Sequence, residues 1–427
     1  MAIESLKKLV TKKEDLTEEP KYTFPAIEDF FKLPKMYYKT VGLIPYDSSS
    51  KAEKKVSEIL LRIISTVILL NLGFAVVMET MYIVTSFQNG ENFLESCMVA
   101  SYIAFSLVGF AKLIVVIMQK NKMTSLFQTL ESIYPTPLPA EQDPYDTRQY
   151  FRYCLRFTKG FGGLYTFLVF IYNSYPIVQY KVLVLINSPN AIRVLPYSMS
   201  PRWDYWDGWY YLNYFSESLA GYTATCGHIS ADLMIFAVTI QVIMHFRRII
   251  KALREFVVGD PSDESAESVK KADTALKELG SLVEYHNHIL RITDDVNNVF
   301  GIPLLINFAA SSLLVCFVGF QMTFGVSPQH FAKLMLILSS AVVEIYLICS
   351  FSQRLIEASE NVSFAVYDMN WTGADYRFRR MLIYIAHRSQ KPVCLKATIF
   401  VDISIETMSI FLRMSYKFFC AIRTMYQ

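Results

Sequence analysis

Seven apolar stretches, each about 20 residues or longer, recur along the chain and decide its class before any motif does. They cover about 59–86, 94–118, 158–186, 216–245, 299–324, 331–352 and 399–425. At 1.5 Å per residue, a helix of about 20 residues crosses roughly 30 Å of hydrocarbon. A soluble chain of 427 residues would distribute its apolar residues over amphipathic faces rather than in runs of this length. The sequence predicts an all-α, polytopic membrane protein with seven transmembrane helices. Residues 1–58 carry eleven Lys/Arg and ten Asp/Glu and lack the apolar stretch of a secretory signal, so the first span is expected to act as the targeting signal.

The positions of the basic residues set the orientation. Lys and Arg number eleven in 1–58, five in 119–157, eight in 246–298 and seven in 353–398, 31 in all, against two in the opposite loops. The basic side is the cytosolic one, which puts the N-terminus in the cytosol and the C-terminus outside. The chain then divides into a cytosolic segment 1–58, spans one to four in 59–245 with an outer loop 187–215, a cytosolic helical loop 246–298, spans five and six in 299–352, a second cytosolic helical loop 353–398, and a last span 399–427. Asn361 and Asn370 open Asn-x-Ser/Thr triplets on the side assigned to the cytosol and are read as chance.

Within 246–298, Val269, Ala272, Leu276, Leu279, Val283, His286 and Leu290 recur at spacings of three and four, an amphipathic helix leading toward span five. His286 is expected to be structural, because no other metal ligand clusters around it. The outer loop carries Trp203, Tyr205, Trp206, Trp209, Tyr210, Tyr211 and Tyr214, which suit either an aromatic belt at the headgroup level or a lid over a pocket. Glu79, Lys112, Lys181, Glu217, Asp232 and Glu344 are isolated charges in apolar surroundings, and Glu344, mid-span, needs a partner. The seven cysteines show no paired spacing for a disulfide framework or a zinc site. No nucleophile, phosphate-loop or metal motif is present, so no enzyme activity, cofactor or nucleic-acid partner is expected.

The last span holds Asp402, Glu406, Arg413, Lys417 and Thr424 within a narrow arc of one helix face. A charge at the bilayer centre costs about 2.5–3.5 kcal/mol on insertion scales, so this face is expected to meet neighbouring helices or water. Pro176 interrupts span three and is expected to kink it. The outer halves of spans two, three, four and six supply Tyr102, Phe105, Tyr172, Tyr175, Tyr222 and Met335 as candidates for a small apolar ligand pocket.

Several segments resemble the insect odorant receptors. They are Ala365-Val-Tyr-Asp-Met-Asn-Trp371, Arg379-Arg-Met-Leu, His387-Arg-Ser-Gln-Lys-Pro392, Phe400-Val-Asp-Ile-Ser-Ile-Glu-Thr-Met and Leu412-Arg-Met-Ser-Tyr-Lys-Phe-Phe. The last of these also resembles the moth pheromone-receptor group. The resemblance implies a ligand-gated, non-selective cation channel in the plasma membrane of an olfactory dendrite. It implies a heterotetramer formed with a shared co-receptor, Orco, and gated by a small volatile apolar ligand. The short loop between spans four and five points to the odorant-tuned subunit rather than the co-receptor. The family's last helix lines the pore, which places Ala421, Thr424 and Met425 at the gate, with Asp402 and Glu406 near the cytosolic mouth. Arg413, Lys417 and Arg423 depart from the smoother apolar last helix of the co-receptor. A G-protein-coupled receptor would need the opposite orientation, and a transporter would need two matching halves. A plant volatile remains the alternative to a pheromone.

Overall fold

The computed structural model describes residues 24–47, 55–88, 93–189, 191, 193–197, 207–256, 266–323 and 328–426. Its helices are α1 (Ile27–Thr40), α2 (Lys55–Gln88), α3 (Phe93–Met118), α4 (Lys120–Ile133), a single turn α5 (Pro139–Gln142), α6 (Thr147–Leu185), α7 (Asp207–Arg254), α8 (Ala266–Met322), α9 (Pro328–Asp368), α10 (Tyr376–Ser389) and α11 (Ile405–Tyr426). A two-stranded hairpin, β1 (Lys396–Ala397) and β2 (Val401–Asp402), precedes α11. Six helices, α2, α3, α6, α7, α8 and α9, are long and apolar enough to cross a membrane. Helix α2 turns Ile63, Val67, Leu70 and Val77 outward, an apolar surface suited to lipid tails. The protein is a helical polytopic membrane protein.

Helix α7 is the axis of the bundle. Residues such as Leu233, Ile235, Phe236, Ala237 and Phe246 are buried all round, and α1, α2, α3, α6, α8 and α9 pack about it. Burial on every side marks a helix enclosed by its neighbours rather than one facing lipid. Helices α7, α8 and α9 also extend past the hydrophobic spans. The amphipathic stretch expected in 246–298 is the first half of one continuous helix, and its seam residues Leu279, His286 and Leu290 face the core. These extensions meet α1, α4 and α10 at one end of the bundle, here termed the anchor end. The other end, where residues 187–197 lead from α6 toward α7, is termed the loop end. Helix α1 was not foreseen in the sequence. It buries Ile27, Phe30, Phe31, Pro34 and Tyr38 against α6 and α7 and leaves its polar face out. Tyr134 and Gln142 both donate to the Pro25 carbonyl, at 2.8 and 2.9 Å, and hold its entry.

Residues 399–404, read as the start of the last span on apolarity, form the hairpin instead. Thr398 adopts a left-handed φ of 63° at its turn, and Lys396 pairs with Asp402. A half-buried Asn297 of α8 and a buried Ser352 of α9 fasten the segment. Asn297 donates to the Cys394 carbonyl at 3.0 Å and accepts from Lys396 N–H at 2.9 Å. Ser352 donates to the Ile403 carbonyl at 2.6 Å and accepts from Leu395 N–H at 3.0 Å. A chain tied this way cannot continue as helix, so α11 starts at Ile405. Helix α6 runs unbroken through Pro176.

Helices α3 and α7 cross in backbone contact. A Cβ on Gly109 would stand 2.4 Å from the Ala224 carbonyl oxygen, and one on Gly227 2.4 Å from the Gly109 carbonyl oxygen. Only glycine permits this approach, a small-residue crossing familiar from membrane helices. Gly227→Leu is expected to cost about 3 kcal/mol or more, since backbone on both sides cannot give way. Gly73→Ala, in open space, is the control. Surface yield of tagged protein measures both: G227L should be lost and G73A retained, and equal yields would show that the crossing is not needed.

Candidate functional site: a cavity over a buried charge cluster

Halfway along the bundle, toward the loop end, five helices leave a cavity of about 90 Å³. Its wall residues recur at spacings of three and four, as one helix face requires. They are Ser101, Tyr102, Phe105 and Val108 on α3, with Tyr165, Leu168, Val169 and Tyr172 on α6. Ile337, Ser340, Ala341 and Glu344 come from α9, Thr225 and His228 from α7, and Ala310, Ser311 and Leu314 from α8. Tyr197, from the segment before α7, closes the top. Its ring meets Tyr102 edge-on at 5.4 Å, and its N–H donates to the Glu217 carboxylate at 3.0 Å. Gly221 makes room for it, because a Cβ there would fall 2.2 Å from the Tyr197 hydroxyl oxygen.

The floor is ionic. The Lys112 ammonium donates to both oxygens of Asp232, at 2.8 and 2.9 Å, and to Oε1 of Glu344 at 3.3 Å. Tyr165 donates to Oε2 of Glu344 at 2.6 Å. His228 stacks on Phe105, centroids 4.3 Å apart, and its Nε2 bonds the Phe105 carbonyl at 3.0 Å. Its Nδ1 lies 3.6 Å from Oε1 of Glu344. All these side chains are almost fully buried apart from the half-buried Phe105. His228, Asp232 and Glu344 have the donor set of a metal site, with ligand atoms within 4.8 Å of one another, but the Lys112 ammonium lies between the two carboxylates where a cation would go.

Three of the six pocket candidates, Tyr102, Phe105 and Tyr172, line this cavity. Tyr175 lies nearer the end of α6, under the Lys333 ammonium at 3.9 Å. Tyr222 packs against the main core. Met335 is exposed, since two residues before Ile337 is about 200° around the helix. The outer aromatics divide between the two expected roles. Tyr210 and Tyr214 turn inward and donate to the carbonyls of Val194 and Asn173, while Trp209 and Tyr211 are exposed. Trp203, Tyr205 and Trp206 lie outside the described residues. Tyr165, Tyr197, His228 and the hydroxyl residues of the wall were not foreseen. Glu344 was marked only as lacking a partner.

The 7tm Odorant receptor family matches residues 92–416 of the chain. Odorant receptor 67a of Drosophila melanogaster is 46% identical over 416 residues, 97% of this chain and all of that one. Odorant receptor 85b of the same species is 38% identical over 94% of this chain and all of its own length. This chain belongs to the insect odorant receptor family. It is a receptor, not an enzyme. The olfactory receptor OR5 of Machilis hrabei, solved alone and in complex with eugenol, shares the fold with TM-scores of 0.75 and 0.76 at 15% identity, over 93% of this chain and 98% of its own.

In this odorant receptor the last helix, α11, fully buries, among its described side chains, Phe411 and Ser415, against α8. Phe308 meets Phe411 at 6.0 Å, and the hydroxyls of Ser312 and Ser415 lie 3.1 Å apart. Glu406, Arg413, Lys417, Ala421 and Thr424 are exposed, and among the described residues none of these charges has an ion pair. Thr424 donates to the Cys420 carbonyl at 2.7 Å. Asp402 sits on the hairpin, exposed and 3.5 Å from Lys396. The side chain of Met425 lies outside the described residues.

Removing one partner from a buried ion cluster costs about 3–5 kcal/mol, because the remaining charge is left uncompensated. Lys112→Met is therefore expected to abolish surface expression, and adding Asp232→Asn to restore part of it. Equal surface staining of K112M and wild type would show that the cluster is not needed for folding.

Proposed function

We propose that this chain is the odorant-tuned subunit of a ligand-gated, non-selective cation channel. It works with the shared co-receptor Orco in the plasma membrane of an olfactory dendrite, with its N-terminus cytosolic and its C-terminus outside. The odorant occupies the cavity under Tyr197, with Tyr102, Phe105 and Tyr172 among its contacts. Family membership supports this reading, and one structural observation carries the channel part of it. Helix α11 leaves Glu406, Arg413, Lys417 and Thr424 uncovered by the rest of the chain. A single copy facing lipid would bear the cost of those charges. An assembly that sets this face on a water-filled path, or against other subunits, removes it. Ala421, Thr424 and Met425 are then the outer, gate-proximal positions, and Asp402 and Glu406 the cytosolic approach.

The ligand is a compact volatile. A cavity of about 90 Å³ is smaller than the roughly 150 Å³ cavity that accepts a benzene ring. Binding requires wall side chains to move, and a long pheromone chain requires more movement than a short skeleton. The similarity of the last helix to moth pheromone receptors favours the longer ligand, and chain length separates the two readings.

Voltage clamp of the chain co-expressed with Orco tests both parts. In a homologous alcohol series, potency should rise roughly tenfold per two methylenes, at about 0.8 kcal/mol each, and then fall once the cavity is full. A steady rise to pheromone length would favour the pheromone reading. Tyr172→Ala should move that optimum to longer chains. For the pore, an outside-applied thiol reagent should alter the current of Ala421→Cys, faster with odorant present. Thr424→Trp should change ion selectivity while leaving the dose–response midpoint within about threefold. If neither variant affects permeation, the co-receptor supplies the conduction path and this chain only the sensor.

A further inference from the structure

We infer that the cavity selects for a hydrogen-bond donor, so that its preferred odorants are hydroxyl-bearing volatiles rather than ethers, esters or ketones on the same skeleton. The inference rests on the reading that this cavity takes the odorant, and concerns what the cavity recognises there.

The argument begins with the His228 tautomer. Nε2 lies 3.0 Å from the Phe105 carbonyl oxygen, which can only accept, so Nε2 carries the proton. In the neutral ring Nδ1 then presents a lone pair. It is buried, and among the described residues no hydrogen-bond partner reaches it. What it faces is Oε1 of Glu344, another acceptor, at 3.6 Å. That separation exceeds the roughly 2.7–3.2 Å of a formed N–H···O bond, so the two atoms are an unbridged acceptor pair beneath the cavity, which a ligand meets when the side chains around it move to admit it. A hydroxyl placed above them can donate to Nδ1 or to Oε1. An ether or carbonyl oxygen there would set a third lone pair against two.

The walls carry the same bias. Ser101 donates to the Cys97 carbonyl at 3.0 Å, Thr225 to Gly221 at 2.8 Å and Ser340 to Ile337 at 2.8 Å, each within its own helix. Tyr165 gives its proton to Glu344 and Tyr172 to the Lys333 carbonyl at 3.3 Å. These hydroxyls have committed their protons to the protein and offer oxygen lone pairs to the cavity. Tyr197 donates to Asn173 Oδ1 at 3.5 Å, and among the described residues Tyr102 and Ser311 are the lining hydroxyls left to donate. Most of the remaining wall is apolar, so it accepts a hydrocarbon body of either isomer and discriminates only at the polar end.

Isomeric pairs isolate the polar group, because they match in volume and carbon count. Benzyl alcohol against anisole, and 1-hexanol against methyl pentyl ether, are applied to the chain co-expressed with Orco, and dose–response midpoints are compared. The alcohol of an active pair should be more potent by about tenfold, the effect of one net hydrogen bond to a buried acceptor. His228→Phe puts a ring of similar size beside Phe105 and removes Nδ1, one of the two floor acceptors. It should shrink the alcohol's advantage, read as the ratio of the two isomers' midpoints, by at least about threefold. Tyr165→Phe removes a hydroxyl from the same cluster but leaves Nδ1 and Oε1, and should keep the alcohol preference. A purely structural role for the cluster would affect both variants alike.

Equal potency of the isomers in wild type, or preference for the ether, overturns the inference while odorant gating stands. An undiminished preference in surface-expressed H228F also overturns it. If H228F does not reach the surface, the wild-type comparison alone decides. No current with any volatile in the presence of Orco would instead overturn the channel reading, and the inference with it.

Discussion

A lysine ammonium held between two carboxylates fixes how three helices of this receptor meet. Lys112, Asp232 and Glu344 come from α3, α7 and α9, and all three are buried. Desolvating three charges gives back much of what their attraction gains, so the triad is weak evidence for net stability. Its consequence is register. Sliding any one helix by a residue moves its charge about 1.5 Å along and about 100° around, and leaves the other two unpaired in a medium that cannot solvate them. Between lipid-exposed helices no hydrophobic term chooses among registers, because lipid tails are as apolar as leucine. The triad makes that choice, and the glycine crossing at Gly109 and Gly227 fits only the register it sets.

The cavity follows from the same geometry. The glycine contact draws α3 onto α7 on one side. Large aromatics, Tyr102, Phe105, Tyr165 and Tyr172, stand on the faces of α3 and α6 that look toward α8 and α9. Rings that wide hold the helices apart, and the space between them is lined by the short side chains Ser101, Ala104, Ser311, Ser340 and Ala341. Native cores rarely leave such gaps, since unfilled space forfeits dispersion contacts. The fold carries this one directly above its most polar cluster, where the apolar body and polar end of a small volatile can both be accommodated.

Much of this was legible in the sequence. Helical class, six of the apolar spans and the family resemblance came from run length and short motifs, signals that survive without knowledge of tertiary contacts. Lys112, Asp232 and Glu344 were each visible as a charge out of place, and Tyr102, Phe105 and Tyr172 as aromatics in the outer halves of spans two and three. That three lone charges answer one another could not be read from periodicity, which gives a residue's face but not its depth or neighbour. Helix α1 escaped notice because its amphipathic turn lies in a charge-rich segment without a long apolar run. Asp402 was assigned to the last helix because 399–404 is apolar enough to be one. What diverts it is the set of hydrogen bonds from Asn297 and Ser352, residues about 105 and 50 positions earlier, which no local pattern announces.

The position of α11 joins these features. It is rooted by the hairpin bonds to α8 and α9, and those two helices also form the far wall of the cavity. On α8 the two roles fall on adjacent residues. Ser311 lines the cavity, while Ser312 reaches the Ser415 hydroxyl of α11. Phe308, one turn earlier, packs against Phe411. On α9, Glu344 belongs to the cavity floor, and Ser352, eight residues further along, holds the strand that leads into α11. A packed helix moves as a body rather than residue by residue. A displacement of Ser311 or Glu344 therefore acts on the same two rods that seat α11. Helix α11 itself buries a single narrow stripe against the chain, and among the described residues makes no ion pair that would anchor its charged face. Of its two supports, α9 is held in the triad through Glu344, whereas α8 contributes no charge to it.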